Sequence, residues 1–234
     1  MRVYFLIPLL FISTADAFVL MRKNYHLAKP EDTKFQISSE GCTGNVDNSE
    51  LKSAMKKAAE LWSSVPESRL RIRVDGGSSH SVMSSSVPKG KVIIGCAALA
   101  AGTAGLTLLD ESHKSARIQI NSTVSFSKDG LFEVVTHELG HAIGLHHSKD
   151  PASVMTYEPN GWSPGPTYLS QDDEDGVIYL YPNKAELVGL VGSCSSFASE
   201  SRPANHEFPY EIFLGLGTPV LLWAVSKRLR KWRR

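Results

Sequence analysis

Several features that would settle the class of this chain outright are scarce in it. It has three cysteines in 234 residues, Cys42, Cys96 and Cys194, so pairing within the chain leaves one over. No segment repeats, which excludes repeat arrays. Neither terminal apolar run, Val3 to Ile12 or Ile212 to Val225, reaches the roughly twenty residues that a comfortable membrane span needs. Excess charge of one sign is also missing: the net charge is +1. That average joins a mildly acidic body to a basic tip of Lys227, Arg228, Arg230, Lys231, Arg233 and Arg234, a distribution that argues against nucleic acid as a partner. What is present is globular. With 42% hydrophobic and 21% charged residues, the chain can build a real core, and its length suits one ordinary domain with appendages.

The first residues have the form of a secretory signal. Arg2 is a short positive region, Val3 to Ile12 an apolar one, and Ala15-Asp16-Ala17 a small-x-small cleavage site. Residues 1–17 are therefore expected to be a signal peptide, the alternatives being an uncleaved anchor or a buried strand. Export would place the body in an oxidising compartment, where cysteines pair. No metal-ligand pattern surrounds Cys42 or Cys96, so a Cys42–Cys96 disulfide is expected, joining the loop before the first helix to the end of a strand.

A block of residues 18–184 carries the structural signals. Lys34 to Ser38 can be a short strand, and Asp47-x-x-Glu50 can cap a helix with Leu51, Ala54, Met55, Ala58, Leu61 and Trp62 on one face. Leu70 to Val74 and Ala116 to Ile120 alternate as strands do, and Lys91 to Gly95 reads as a buried strand. Asp75 to Gly90, rich in serine, reads as loop. A helix is expected from near Asp129 to Gly144, and Ser170-Gln-Asp-Asp173 should open another that ends by Pro182. Strands followed by flanking helices suggest an α+β domain with a mixed sheet.

The informative stretch is Thr136-His-Glu-Leu-Gly-His-Ala-Ile-Gly-Leu-His-His-Ser148. On a helix His137 and His141 share a face one turn apart, and two imidazoles at that spacing can hold one zinc ion. Glu138, beside the first, can reach a metal-bound water as general base. Gly144 can take the left-handed conformation that ends the helix, after which His147 swings back as third ligand. Three nitrogens leave a fourth position open, the catalytic arrangement. His146 is one residue short of that spacing and reads as an exposed or supporting residue.

HELGHAIGLHH resembles the HExxHxxGxxH motif of the metzincin clan of zinc endopeptidases. Met155, in Ser153-Val-Met-Thr-Tyr157, resembles the clan's Met-turn. The interval between His147 and Met155, Ser148 after the third histidine, and Leu169-Ser-Gln-Asp-Asp173 are similar to the matrixins in particular. The resemblance covers roughly residues 30–182 and implies a twisted, mostly parallel sheet above a cleft and a small irregular subdomain below. It also implies protein or peptide substrates lying extended against a sheet edge near Gly105 to Leu109, and it leaves room for Ca2+ beside Zn2+. Tyr157 would line the pocket, or approach the zinc as a tyrosine does at that place in serralysins and astacins. There are departures. No Pro-Arg-Cys-Gly switch precedes the domain, and Cys42 in Glu40-Gly-Cys-Thr-Gly44 lacks those neighbours, which favours a disulfide over a zinc-blocking role. The family's second, structural zinc has no evident ligands, since His80 and His113 stand alone as surface histidines. The short form resembles secreted bacterial relatives.

Beyond a linker of residues 185–207, residues 208–226 read as a C-terminal transmembrane segment and 227–234 as a basic cytoplasmic tail that obeys the positive-inside rule. An amphipathic surface helix is the alternative, although the run has no polar face. Gly192-Ser-Cys194 ahead of it resembles bacterial sorting tails, in which case the tail would be removed, Cys194 could be modified and the protein would be secreted. The expectation is thus an exported, membrane-tethered zinc endopeptidase; the rival is a zinc-bound but inactive binding or structural protein.

Overall fold

The structure, a computed structural model, describes residues 18–156 and 168–183. Residues 1–17, the linker 185–207, Cys194, the apolar segment 208–226, the basic tail 227–234 and Tyr157 lie outside the described residues. Five strands form one sheet: β1 (Thr33–Ile37), β2 (Ile72–Gly77), β3 (Lys91–Ala97), β4 (Gly105–Asp110) and β5 (Ser115–Asn121), in the order β2-β1-β3-β5-β4. β2, β1, β3 and β5 run parallel, and β4 pairs antiparallel with β5 as one of the two edge strands. Parallel strands covered on both faces need apolar side chains on both, and Val92, Ile93 and Ile94 of β3 are all fully buried.

β2 begins two residues later than the alternation from Leu70 suggests and runs on through Gly77. Ser68 Oγ takes the Leu70 N–H at 3.0 Å, which keeps that amide in a turn. At the other end, a shift in register between Phe35 and Ile37 lets Ile37 pair with Gly77 and draws Asp75 to Gly77 into the strand. The serine-rich loop is accordingly shorter than expected.

Helix α1 (Asn48–Ser63) starts where Asp47 accepts the amides of Ser49 and Glu50, at 2.7 and 3.1 Å; Glu50 does not return the bond, so the expected box is half formed. Its inner face carries Leu51, Ala54, Met55, Ala58 and Trp62, with Ala59 buried and Leu61 only half-buried. Helix α2 (Lys128–Ile143) packs on α1, β4 and β5, and its last ten residues are buried but for His137, which is half-buried. A buried helix end needs partners for its last carbonyls. Tyr181 donates to Ile143 O at 2.5 Å, and the Tyr25 hydroxyl lies 3.1 Å from Ala142 O and 2.9 Å from Ser115 O. Helix α3 (Gln171–Leu180) opens with a complete capping box between Ser170 and Asp173. Cys42 and Cys96 are disulfide-bonded, tying the loop before α1 to the end of β3. No helix among the described residues is long and apolar enough to cross a membrane.

Candidate metal centre

Ser127 caps α2 by accepting the Gly130 amide at 3.0 Å, and the helix carries His137 and Glu138 on one turn and His141 on the next. It stops at Gly144, whose φ of 114° is open to glycine and strained for any other residue. The amides of Gly144 and Leu145 close back on His141 O and Gly140 O, both at 3.0 Å. The chain then reverses and brings His147 to the face of α2. A short N-terminal segment pins this reversal: His146 N donates to Val19 O at 2.7 Å, and Met21 N to Gly144 O at 2.9 Å.

His137, His141 and His147 converge with their ligand atoms within 4.8 Å of one another. His141 Nε2 and His147 Nε2 are 3.2 Å apart. Two nitrogens each bound to one zinc at about 2.0–2.1 Å, at a tetrahedral angle, would be separated by about 3.3 Å. The second ring nitrogens are already engaged: His137 Nδ1 with Val154 O and His141 Nδ1 with Leu145 O, each at 2.8 Å. A backbone carbonyl only accepts, so both rings hold their proton on Nδ1 and turn a lone pair on Nε2 towards the centre. Burial also keeps the imidazoles neutral. It lowers His137 and brings His141 to about 3 and His147 to about 4, with the neighbouring imidazoles adding to the fall for the last two. Neutral, converging and pre-oriented imidazole nitrogens are the donor set that zinc takes. Among the described residues this is the one cluster of three or more histidine, cysteine or acidic side chains with such spacing.

His146 is exposed and outside the triad. His113 is also exposed and bonds Asp110 at 2.8 Å, whereas His80 is half-buried beside the hydroxyls of Ser78 and Ser79. Among the described residues neither belongs to a second ligand set. Met155 is buried with its sulfur against α2 at Gly140: a Cβ there would stand 2.2 Å from Met155 Sδ and 2.9 Å from Trp62. Glycine at that place in the motif is thus what lets Met155 and Trp62 approach the helix so closely.

Three contributors escape a reading of the motif alone. Asp173, 1% exposed, accepts from Ser153 Oγ at 2.5 Å and Val154 N at 3.0 Å besides its cap bonds to Ser170. It therefore ties down the residue, Val154, whose carbonyl orients His137. Only its capping role is visible in sequence. Thr107 and Gly105, on β4, face Glu138: Thr107 Oγ1 lies 2.6 Å from Glu138 Oε2, and Gly105 leaves space that the glutamate fills. The glutamate is 5% exposed, and burial pushes its carboxyl up to about 7, opposed by the Thr107 bond.

Comparison with known proteins agrees with this geometry. A family model described as Matrixin matches residues 26–182. The interstitial collagenase of Oryctolagus cuniculus is 27% identical over 172 residues, 68% of this chain and 35% of the collagenase. The macrophage metalloelastase of the same animal is 30% identical over 149 residues, 59% of this chain and 30% of the elastase. Matrix metalloproteinase-25 of Homo sapiens is 49% identical over 61 residues, 24% of this chain and 11% of its own length. The chain thus spans about a third of the length of the first two relatives. A match that takes in the sheet, both long helices, the histidine loop and α3 together places this chain in the matrixin family, peptidase M10.

Proposed function

We infer that the protein is a zinc-dependent endopeptidase acting on proteins or peptides outside the cytoplasm. The observation that carries this reading is the convergence of three neutral Nε2 donors beside a buried carboxylate, Glu138, at the foot of an edge strand. When bound, the zinc would supply Lewis acidity to the scissile carbonyl and to the attacking water. Glu138 acts as general base, taking a proton from the attacking water and returning it to the leaving amine. His137, His141 and His147 would hold the metal, and Val154 O and Leu145 O hold the first two rings in register. The outer edge of β4, with no strand beyond it among the described residues, receives an extended peptide by strand addition. Met155 supports the triad from below, and Tyr157 is assigned to the pocket wall.

Cleavage of casein or gelatin should occur with the zinc-loaded protein, stop with a chelator and return with added zinc. Cleavage that persists through chelation and removal of zinc would refute the reading.

Export and tethering belong to the same proposal. The signal-like residues 1–17, the Cys42–Cys96 disulfide and the apolar segment 208–226 with its basic tail support a domain of residues 18–184 held outside the membrane. Full-length protein should sediment with membranes and resist release by high salt, which strips electrostatic but not inserted contacts. Release by salt alone would replace the span with a surface-bound tail.

A further inference from the structure

Glu138 is flanked by two β4 residues that the histidine motif does not include. Thr107 is 8% exposed, and its Oγ1 lies 2.6 Å from Glu138 Oε2 and 2.9 Å from the Glu138 main-chain oxygen. One hydroxyl has one proton to donate, and an ionised carboxylate at the shorter distance is the stronger acceptor. Gly105, two residues earlier, is on the same face of the strand. A Cβ at 105 would stand 2.6 Å from Glu138 Cγ, 2.7 Å from Oε1 and 2.9 Å from Cδ, so any side chain there would move the carboxylate. The strand thus constrains the glutamate twice, once by a bond to one oxygen and once by leaving the volume that the other oxygen occupies.

We propose that Thr107 and Gly105 are positioning residues for the general base: Thr107 holds Oε2, so that Oε1 is the oxygen that exchanges the proton. The proposal rests on the endopeptidase reading and deepens it. The proton balance is simple. A water O–H bond breaks as an O–H bond forms at Oε1, and that proton later passes to the nitrogen of the leaving amine, while the Thr107 proton stays on its own oxygen. Without the Thr107 hydroxyl the carboxylate is free to turn about its last torsion, and the base spends less time aimed at the water.

The test uses the full-length zinc-loaded chain with Thr107→Val, which keeps the β-branched shape, Thr107→Ser, which keeps the hydroxyl, and Gly105→Ala. Three quantities are read: zinc per chain, kcat and KM on an unfolded peptide, and the Glu138 carboxylate stretch in the infrared, isolated by subtraction of a Glu138→Gln protein. Thr107→Val should keep one zinc per chain and KM within about twofold, lower kcat by about 10- to 100-fold, the scale of a misplaced catalytic group, and shift the carboxylate band. Thr107→Ser should restore both kcat and band. Gly105→Ala should keep zinc and lose turnover. An unchanged band and kcat in Thr107→Val would overturn the proposal, as would loss of zinc or a rise in KM alone, either of which marks a scaffold role. If the wild type cleaves nothing while Thr107→Val still shifts the band and Thr107→Ser restores it, the endopeptidase reading falls and the positioning of Glu138 by β4 stands.

Discussion

Neighbouring residues on α2 are asked for different things: His137 must stay neutral to bind a cation, and Glu138 must be able to lose and regain a proton. Glu138→Ala should therefore leave one zinc per chain, since the three imidazoles are untouched, while turnover falls by about 10²–10⁴-fold. Metal analysis beside a peptide assay checks both halves. His147→Ala should lose zinc and activity together, whereas His146→Ala should retain the ion; the reverse would move the third ligand by one residue. The depressed imidazoles also set a pH dependence for the metal-free protein. Above about 6.5 these histidines are neutral whether the chain is folded or not. As the pH falls from there towards about 3–4, the unfolded chain binds protons that buried His141 and half-buried His147 do not, so stability is lost over that window. Glu138, whose carboxyl is raised to about 7, opposes the decline by gaining its proton in the fold first. Thermal melts of zinc-free Glu138→Gln protein between pH 7 and pH 4 should therefore show it in full, and a flat profile there would mean that the rings charge freely in the fold. The triad was legible in sequence because its spacing is helix periodicity plus one glycine turn. Thr107 was not, because its partner is 31 residues away on another element and no local pattern links them.

At the level of elements, α3 does more than close the domain. Its first turn carries Asp173, and through Val154 that carboxylate is two hydrogen bonds from the His137 ring. Asp173→Ala would strand the amides of Val154 and Ser170 and two serine hydroxyls in a buried place, at a cost of about 3 kcal/mol. The zinc affinity should fall with it, because the carbonyl that orients His137 is no longer fixed. Denaturant titration and competition with a zinc chelator would separate the two effects, and full stability in this variant would deny Asp173 its role. Helices were the most legible elements, since Ser170-x-x-Asp173 and the terminal Gly144 mark their ends chemically. The strands were harder to place. β2 extends through Asp75-Gly-Gly77 only because a register shift in β1 supplies a partner, a fact that no alternation within β2 records. β4, half exposed at the edge, shows Leu106, Thr107 and Leu108 where a buried strand would show an apolar run.

The whole molecule is held at the far end of its central strand by the Cys42–Cys96 bond, which spans 54 residues and encloses α1, β2 and most of β3. A cross-link over a loop of that length stabilises a domain by about 2–4 kcal/mol, chiefly by restricting the unfolded chain. Guanidinium unfolding with and without a reductant should show a loss of that order, and no change on complete reduction would mean that the bond is dispensable. At one edge of the sheet lies β4, with no strand beyond it among the described residues. That open edge sets a condition on whatever docks there. A guest must present a stretch of bare backbone, free of its own helix or hairpin, before it can pair. Folded targets would have to unravel locally first, and the free energy of that opening would be subtracted from the binding. The protein would then discriminate among otherwise similar peptide bonds by the looseness of the surroundings, cutting tails, loops and damaged chains ahead of well-packed domains.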